Sequence, residues 1–243
     1  MVTVTFSFNQ NYIEYSKALV SSIKVNSPSC NIVARAVNVN SSLLEENWCK
    51  GITLIRDTVN CNSTKNKIKN LTDNYTSFWQ GKIPKRSLLY SDEISYTCHS
   101  RFLNILFLLE NNVDNIFCID ADFIVRGDLN ELENLKEDIH IMHKIENNKA
   151  MFTDEDAIFI KNTPYSKKFI EDTYNLLIKN LHYWDADTEA LNKSYEHNKG
   201  YLKLHQLNIK YKDYNLGDSS IAWSGDGGSK FKPEFLKSIT LYS

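Results

Sequence analysis

Glycine and proline are scarce in this chain, with eight and four residues among 243, which excludes collagen-like and linker-rich architectures. No apolar run reaches the ~18–20 residues that a membrane-spanning helix needs. Basic charge is not in excess either. Twenty-eight Lys and Arg against 30 Asp and Glu leave a net charge of −2, so nucleic-acid binding has no electrostatic support. The five cysteines (Cys30, Cys49, Cys61, Cys98, Cys118) are odd in number and form no Cys-x-x-Cys pair. Neither a zinc knuckle nor a disulfide framework is indicated, and a reducing, cytoplasmic compartment is expected. The six histidines lack His-x-x-x-His and His-Glu-x-x-His spacing, which argues against a zinc hydrolase. His140 and His143 flank a strand and read as packing or edge residues. A Walker loop and a Gly-x-Gly-x-x-Gly turn after the first strand are both missing.

What remains is the composition of an ordinary globular protein, 42% hydrophobic and 24% charged, long enough for one large α/β domain. Val2, Val4, Phe6 and Phe8 alternate with Thr3, Thr5 and Ser7, the period of a strand already inside the fold and not that of a leader peptide. A helix from about Glu14 to Val25 follows, stopped by Pro28. Asn31–Val39 and Ile52–Ile55 read as strands, and two strand-helix-strand units this early argue for a doubly wound sheet. Residues 60–94 are polar and aperiodic and read as a mobile insertion within one domain spanning 1–243. The sequons Asn62-Ser63-Thr64 and Asn70-Leu71-Thr72 lie there and follow from the richness in asparagine. Helices are expected over Ser95–Asn111 and, after Thr163-Pro164, over Tyr165–Leu181. Strands are expected at 116–119, Ile139–Ile145, Ala157–Ile160 and Ser219–Trp223, with a tail element over Phe235–Leu241.

The most informative stretch is Ile116-Phe-Cys-Ile-Asp-Ala-Asp-Phe-Ile-Val-Arg-Gly-Asp-Leu129. An apolar strand ends on Asp120 and Asp122, and a second apolar run follows at once. Residues i and i+2 of extended backbone project to one side, so Asp120 and Asp122 are expected to converge on one point at the end of a buried strand. Held together they repel, and a hard cation such as Mg²⁺ or Mn²⁺, shared with ligand phosphates, relieves the conflict. The plainer alternative is an acidic turn after a strand.

Arg101 lies on the helix before that strand, where its burial requires an anion. A diphosphate or Asp120 would serve, against an arginine that reaches solvent from the helix edge. Ser224-Gly-Asp-Gly-Gly-Ser-Lys230 follows a strand, and its glycines let backbone N–H groups approach an anion beside the Lys230 ammonium. The alternative there is a surface turn. Trp184-Asp-Ala-Asp-Thr-Glu-Ala-Leu-Asn192 looks like a helix start capped by Asp185 or Asp187. The run Asp154-Glu155-Asp156 before the 157–160 strand is ambiguous in the same way.

In this order the features resemble a glycosyltransferase of the GT-A fold, closest to family 8, which includes glycogenin and bacterial lipopolysaccharide galactosyltransferases. Residues Phe117 to Leu132 resemble that family's Asp-x-Asp metal segment. Asn11-Tyr12 resembles its nucleotide-binding start, with Asn9 where the family has aspartate. Arg101 matches an arginine ahead of the metal motif, Asp187 to Asn192 the Asp-Gln-Asp-x-x-Asn segment, and Gly227 and Lys230 the closing His-x-x-Gly-x-x-Lys. Three positions depart: the family's metal-binding histidine falls on Ser224, the glutamine on Thr188, and an asparagine near Glu155.

The resemblance implies a Rossmann-like, doubly wound mixed sheet flanked by helices. It also implies retaining transfer of a hexose from a nucleotide diphosphate sugar, commonly UDP-linked, to the hydroxyl of a glycan or another acceptor. Mn²⁺ or Mg²⁺ would sit on Asp120, Asp122 and Asp226. Phe8, Asn9, Tyr12, Arg101, Asp120, Ala121, Asp122, Gly227 and Lys230 would bind the donor. Asp187 would orient the donor sugar, stabilise oxocarbenium character or act as a base, with Arg101 sharing the leaving-group charge. Two rivals remain: a haloacid dehalogenase-type phosphohydrolase, whose nucleophile motif is also Asp-x-Asp after a strand, and a non-catalytic nucleotide-sugar binding protein, suggested by Ser224 and Thr188.

Overall fold

In the computed structural model, which describes residues 1–59, 92–146, 149–178 and 186–243, the alternating N-terminal run is strand β1, Thr3–Asn9. Nearly all of it is buried on both faces, as a parallel strand covered by helices on each side requires. A 3-10 turn, Gln10–Tyr12, leads into helix α1, Ile13–Asn26. Then come β2 (Asn31–Val37), the short α2 (Ser41–Leu44) and β3 (Thr53–Asp57). After residues 60–91, which lie outside the described residues, α3 runs from Asp92 to Glu110. Residues 92–94, expected in the insertion, are the first turn of that helix.

Strands β4 (Asn115–Ile119), β5 (Phe123–Val125), β6 (Ile139–Glu146) and β7 (Lys149–Lys161) follow. Next are helices α4 (Pro164–Leu177) and α5 (Ala186–Asn198) and strands β8 (Leu204–Gln206) and β9 (Ala222–Ser224). Helix α6, Pro233–Tyr242, ends the chain. The Thr163 hydroxyl caps α4 in a box with Ser166, and Pro164 takes the first turn, where no N–H is missed. The helix stops at Leu177, short of the expected Leu181.

Seven strands form one sheet in the order β3-β2-β1-β4-β7-β6-β8. The β3-β2-β1-β4 half is parallel, whereas β7 runs antiparallel to both β4 and β6, so the sheet is mixed. Side chains of β4 alternate between two cores. Phe117 and Ile119 join Phe6, Phe8, Leu19 and Ile23 on the α1 face. Ile116 and Cys118 join Phe102, Ile105, Phe169 and Leu191 under α3, α4 and α5. Helices on both faces of one sheet are the doubly wound arrangement.

Two expectations need correction. The strand read as Ala157–Ile160 is 13 residues long and takes in the acidic run Asp154-Glu155-Asp156 expected ahead of it, although acidic residues are poor strand formers. Its pairing with β6 shifts register around Met142, the irregularity of a β-bulge. The backbone at Asp120 to Asp122 is also not a continuing strand. The chain turns after Ile119 and enters a separate two-stranded sheet, β5 with β9.

Phe117 is fully buried on the central strand. Phe117→Ala should lower the unfolding free energy by ~3–5 kcal/mol in urea titration, and Phe117→Leu by less than ~1.5 kcal/mol, since the leucine keeps most of the volume.

Candidate active site

The C-terminal ends of β1 and β4 open beside the point where the chain passes from the large sheet to the small one, the usual place for a ligand in such folds. Three segments meet there: the turn after β1, the turn after β4, and a second 3-10 turn, Asp226–Phe231, after β9. The last of these is the glycine-rich loop, wound more tightly than a flexible loop would be.

Gly225 explains how the segments approach. Its N–H donates to the Asp122 carbonyl at 2.8 Å, and a Cβ there would lie 2.9 Å from the Asp122 backbone oxygen and carboxyl group. Only glycine permits that contact. The strand pair β5–β9 sets it up by aligning Phe123 with Ser224.

Each carboxylate is met by a cation. Lys230 Nζ lies 2.8 Å from Asp122 Oδ2, donates to the Tyr12 hydroxyl at 3.2 Å, and sits 5.2 Å from the Tyr12 ring centroid. Burial opposes the Lys230 charge, but Asp122 outweighs it and holds the ammonium above the usual lysine range. Arg101, only 5% exposed, places Nη2 2.9 Å from Asp120 Oδ1. Its other donors reach the carbonyls of Cys98 at 2.8 Å and Glu155 at 2.9 Å. Of the partners open to Arg101, the structure selects Asp120. Burial raises the Asp120 pKa against the pull of Arg101, and the Asp122 charge raises it further.

Behind these lies a second layer whose central residue, Lys212, the sequence did not suggest. Asp120 donates its N–H to the Asp156 carbonyl at 3.0 Å, continuing the β4–β7 ladder by one residue. The Asp156 carboxylate lies 3.1 Å from Lys212 Nζ, and Asp226 Oδ2 lies 3.8 Å from the same ammonium. Lys212 is fully buried. Burial draws its pKa down to about 8, against the opposing pull of Asp226 and Asp120. No motif flags Lys212, because its role comes from the packing of a segment remote in sequence.

On the other side of Arg101, the Thr188 hydroxyl makes a short hydrogen bond to the Glu155 carboxylate. Asp187, buried in the first turn of α5, accepts the Thr188 N–H at 3.1 Å and acts electrostatically on Arg101 and Glu155. Asp187 therefore lies inside the helix and does not cap it, while Asp185 lies outside the described residues. Burial and the Asp187 charge raise Glu155 to about 8. The two departures at Glu155 and Thr188 thus touch each other, a pairing invisible at 33 residues' separation.

Tyr12, Arg101, Asp120, Asp122 and Lys230 are brought together as expected, and Ala121 is buried in the turn between the two acids. Asn9 is buried and spends its side chain on the N–H of Asn11. The Phe8 ring belongs to the core, against Phe6 and Trp48, leaving only its backbone for a ligand. Gly227 lies within the 3-10 turn. The proposed metal trio does not gather. Asp120, Asp122 and Asp226 face Arg101, Lys230 and Lys212 respectively. Ser224 is buried, and its hydroxyl accepts the Asp226 N–H at 3.1 Å. No cluster of three His, Cys, Asp or Glu suited to a metal occurs among the described residues. A divalent cation fits this donor set poorly.

The family model described as "Glycosyl transferase family 8" matches residues 3–187. No curated protein sequence matches the chain. Solved structures with similar folds include the galactosyltransferase LgtC in complex with donor and acceptor sugar analogues, at 12% identity and a TM-score of 0.59, covering 99% of this chain and 96% of that one. GlyE, a glycosyltransferase of Streptococcus pneumoniae, is 12% identical with a TM-score of 0.59, covering 98% of this chain and 59% of that one. The bifunctional glycosyltransferase WbbM is 14% identical with a TM-score of 0.55, and this chain spans about half of it, 49%. At such identities the likeness is one of fold, here GT-A.

Glu155 gives a test of the electrostatics. Its folded pKa of about 8 exceeds the unfolded carboxyl value, so the folded state binds the extra proton between the two. Its contribution to stability is therefore complete below about pH 4.3 and is lost as pH rises toward 8, with a slope of at most ~1.4 kcal/mol per pH unit. In denaturant titrations, Glu155→Gln should be more stable than the parent at pH 8, and the difference should shrink as the pH approaches 5.

Proposed function

The chain belongs to glycosyl transferase family 8 and is a glycosyltransferase, and from that premise we propose that it moves a hexose from a UDP-linked sugar to an acceptor hydroxyl with retention. The observation that carries this reading is the meeting of Tyr12, Asp122 and Lys230 at the strand ends, with Arg101 locked on Asp120 beside them. Breaking a glycosidic bond to a diphosphate builds negative charge on the leaving group, and catalysis follows from fixed cations aimed at that charge. Lys230 is the half-buried point charge that would exchange Asp122 for a phosphate oxygen. The amides of the 226–231 turn and the Arg101 guanidinium add to the field. Tyr12 and Asn9, with the Phe8 backbone and Ala121, would line the nucleoside end.

Asp187 is assigned the sugar end, where it orients the hexose or stabilises its positive character. Glu155 and Thr188 beside it would shape the pocket for the transferred sugar. The carboxylates that would hold Mn²⁺ or Mg²⁺ are already paired with cations, so the leaving-group charge falls to Lys230 and Arg101. Retention is the outcome implied by the family, and the acceptor is a glycan or another hydroxyl compound. The reading treats residues 1–243 as one domain, supported by a sheet whose strands span residues 3 to 206. A cytoplasmic location is part of it, supported by four free thiols among the described residues. No helix of the described residues is long and apolar enough to cross a membrane. Family membership sets aside the dehalogenase alternative.

A thermal-shift series with UDP-, GDP- and CDP-sugars tests the donor. At a hundred times its dissociation constant the true donor should add ~2.7 kcal/mol, or roughly 5–10 °C in Tm. UDP-sugars should give that shift and be slowly hydrolysed. Asp187→Asn should lower kcat for that hydrolysis by about 10²–10³-fold while changing donor KM far less. Turnover of p-nitrophenyl phosphate without UDP-sugar binding would defeat the reading, and UDP binding without turnover of any donor would point to a binding protein.

A further inference from the structure

A fully buried ammonium is stable only when opposing charge meets it, and Lys212 is such a group. It enters from a segment lying directly against β9. Asp213 donates its N–H to the Ala222 carbonyl at 3.0 Å, and Ser224 donates its N–H to the Asp213 carbonyl at 3.1 Å. The segment that delivers Lys212 is therefore the neighbour of the strand carrying Ser224, the position where a histidine ligand is missing. Lys212 meets Asp156 at 3.1 Å and Asp226 at 3.8 Å, and its charge is also felt by Asp120 and Asp122. Four carboxylates thus share three cations, Arg101, Lys212 and Lys230. A divalent ion entering here would have to expel an ammonium from the carboxylates it needs, and at the position where the family resemblance places a histidine it would find a serine hydroxyl already bound to an amide.

We propose that this chain holds the donor diphosphate without a divalent cation, Lys212 supplying the fixed, buried positive charge of the centre and Lys230 the charge that meets the phosphates. The inference rests on the nucleotide-sugar reading above. It goes beyond that reading by naming a lysine outside every motif as the residue that makes the metal dispensable. Lys212 keeps Asp156 and Asp226 from drawing a cation into the site, and its charge lies behind Asp120 and Asp122 when Lys230 turns to the ligand. No bond is made or broken at Lys212, so its role is positioning and electrostatic.

Calorimetric titration of UDP into the whole chain, once with EDTA and once with excess Mn²⁺, reads the proposal directly. The dissociation constants should agree within about threefold, a difference of ~0.7 kcal/mol. Electron paramagnetic resonance of Mn²⁺ with the chain alone should show no site tighter than about 1 mM. A UDP affinity improved tenfold or more by Mn²⁺, or one Mn²⁺ bound tightly per chain, would overturn it. Lys212→Met, nearly isosteric and uncharged, should weaken UDP binding in EDTA by about tenfold or more and make the residual binding responsive to Mn²⁺. Unchanged affinity in a folded Lys212→Met protein would remove the role given to Lys212. If that variant does not fold, the two wild-type measurements decide alone. UDP binding in neither condition would defeat the nucleotide reading instead, and the Mn²⁺ resonance would then decide the metal question.

Discussion

Opposed charges held out of water at the end of β4 are the constraint around which the rest of this molecule is arranged. Two acids one residue apart cannot share a half-buried turn without compensation. The chain compensates each separately, Asp120 by Arg101 from α3 and Asp122 by Lys230 from the turn after β9. Asp156 and Asp226 repeat the problem one layer deeper, and Lys212 answers it. Buried ion pairs of this kind seldom add net stability over apolar packing, because desolvation offsets attraction. Their presence at the strand ends is better understood as the cost of keeping a concentrated field where the proposed diphosphate would sit.

The sheet makes that concentration possible. β4 is the central strand, parallel to β1 on one side and antiparallel to β7 on the other. The antiparallel neighbour is why Asp156 can lie beside Asp120, since the ladder continues one residue past the last paired strand positions. A purely parallel sheet would have brought a strand's C-terminal loop there instead. The departure from the large sheet after Ile119 then lets β9 bring the Gly225–Lys230 segment against Asp122.

Much of this was legible in the sequence wherever one residue type in one local pattern carried the information. The alternation of β1, the Pro-started α4 and the apolar flanks of Asp120 and Asp122 each announced an element, and each element is present. The pairing of Arg101 with an acid was foreseeable from the cost of burying a guanidinium. What stayed hidden depends on distance along the chain. Lys212 stands between two unremarkable residues and acquires meaning only when β9 and β7 close around it. Glu155 and Thr188 each look like an isolated departure until α5 docks on β7. Acidic residues hid the first half of the long β7, because the partners that make them tolerable there are not its sequence neighbours.

Helix α1 has a further consequence. It begins at Ile13, one residue after Tyr12, and polar side chains of its far half and of Ser27, just past its end, hold β5 and the residues that follow it. The Ser22 hydroxyl accepts the Val125 N–H at 3.0 Å, Asn26 donates to the Val125 carbonyl at 2.9 Å, and the Ser27 hydroxyl donates to the Gly127 carbonyl at 2.8 Å. One helix therefore spans from Tyr12 to the strand that follows Asp122. The helix works as a gauge block: together with the Lys230 bridge between Tyr12 and Asp122, its length sets the gap between the two sides of the candidate site, and any change in its register would open or close that gap.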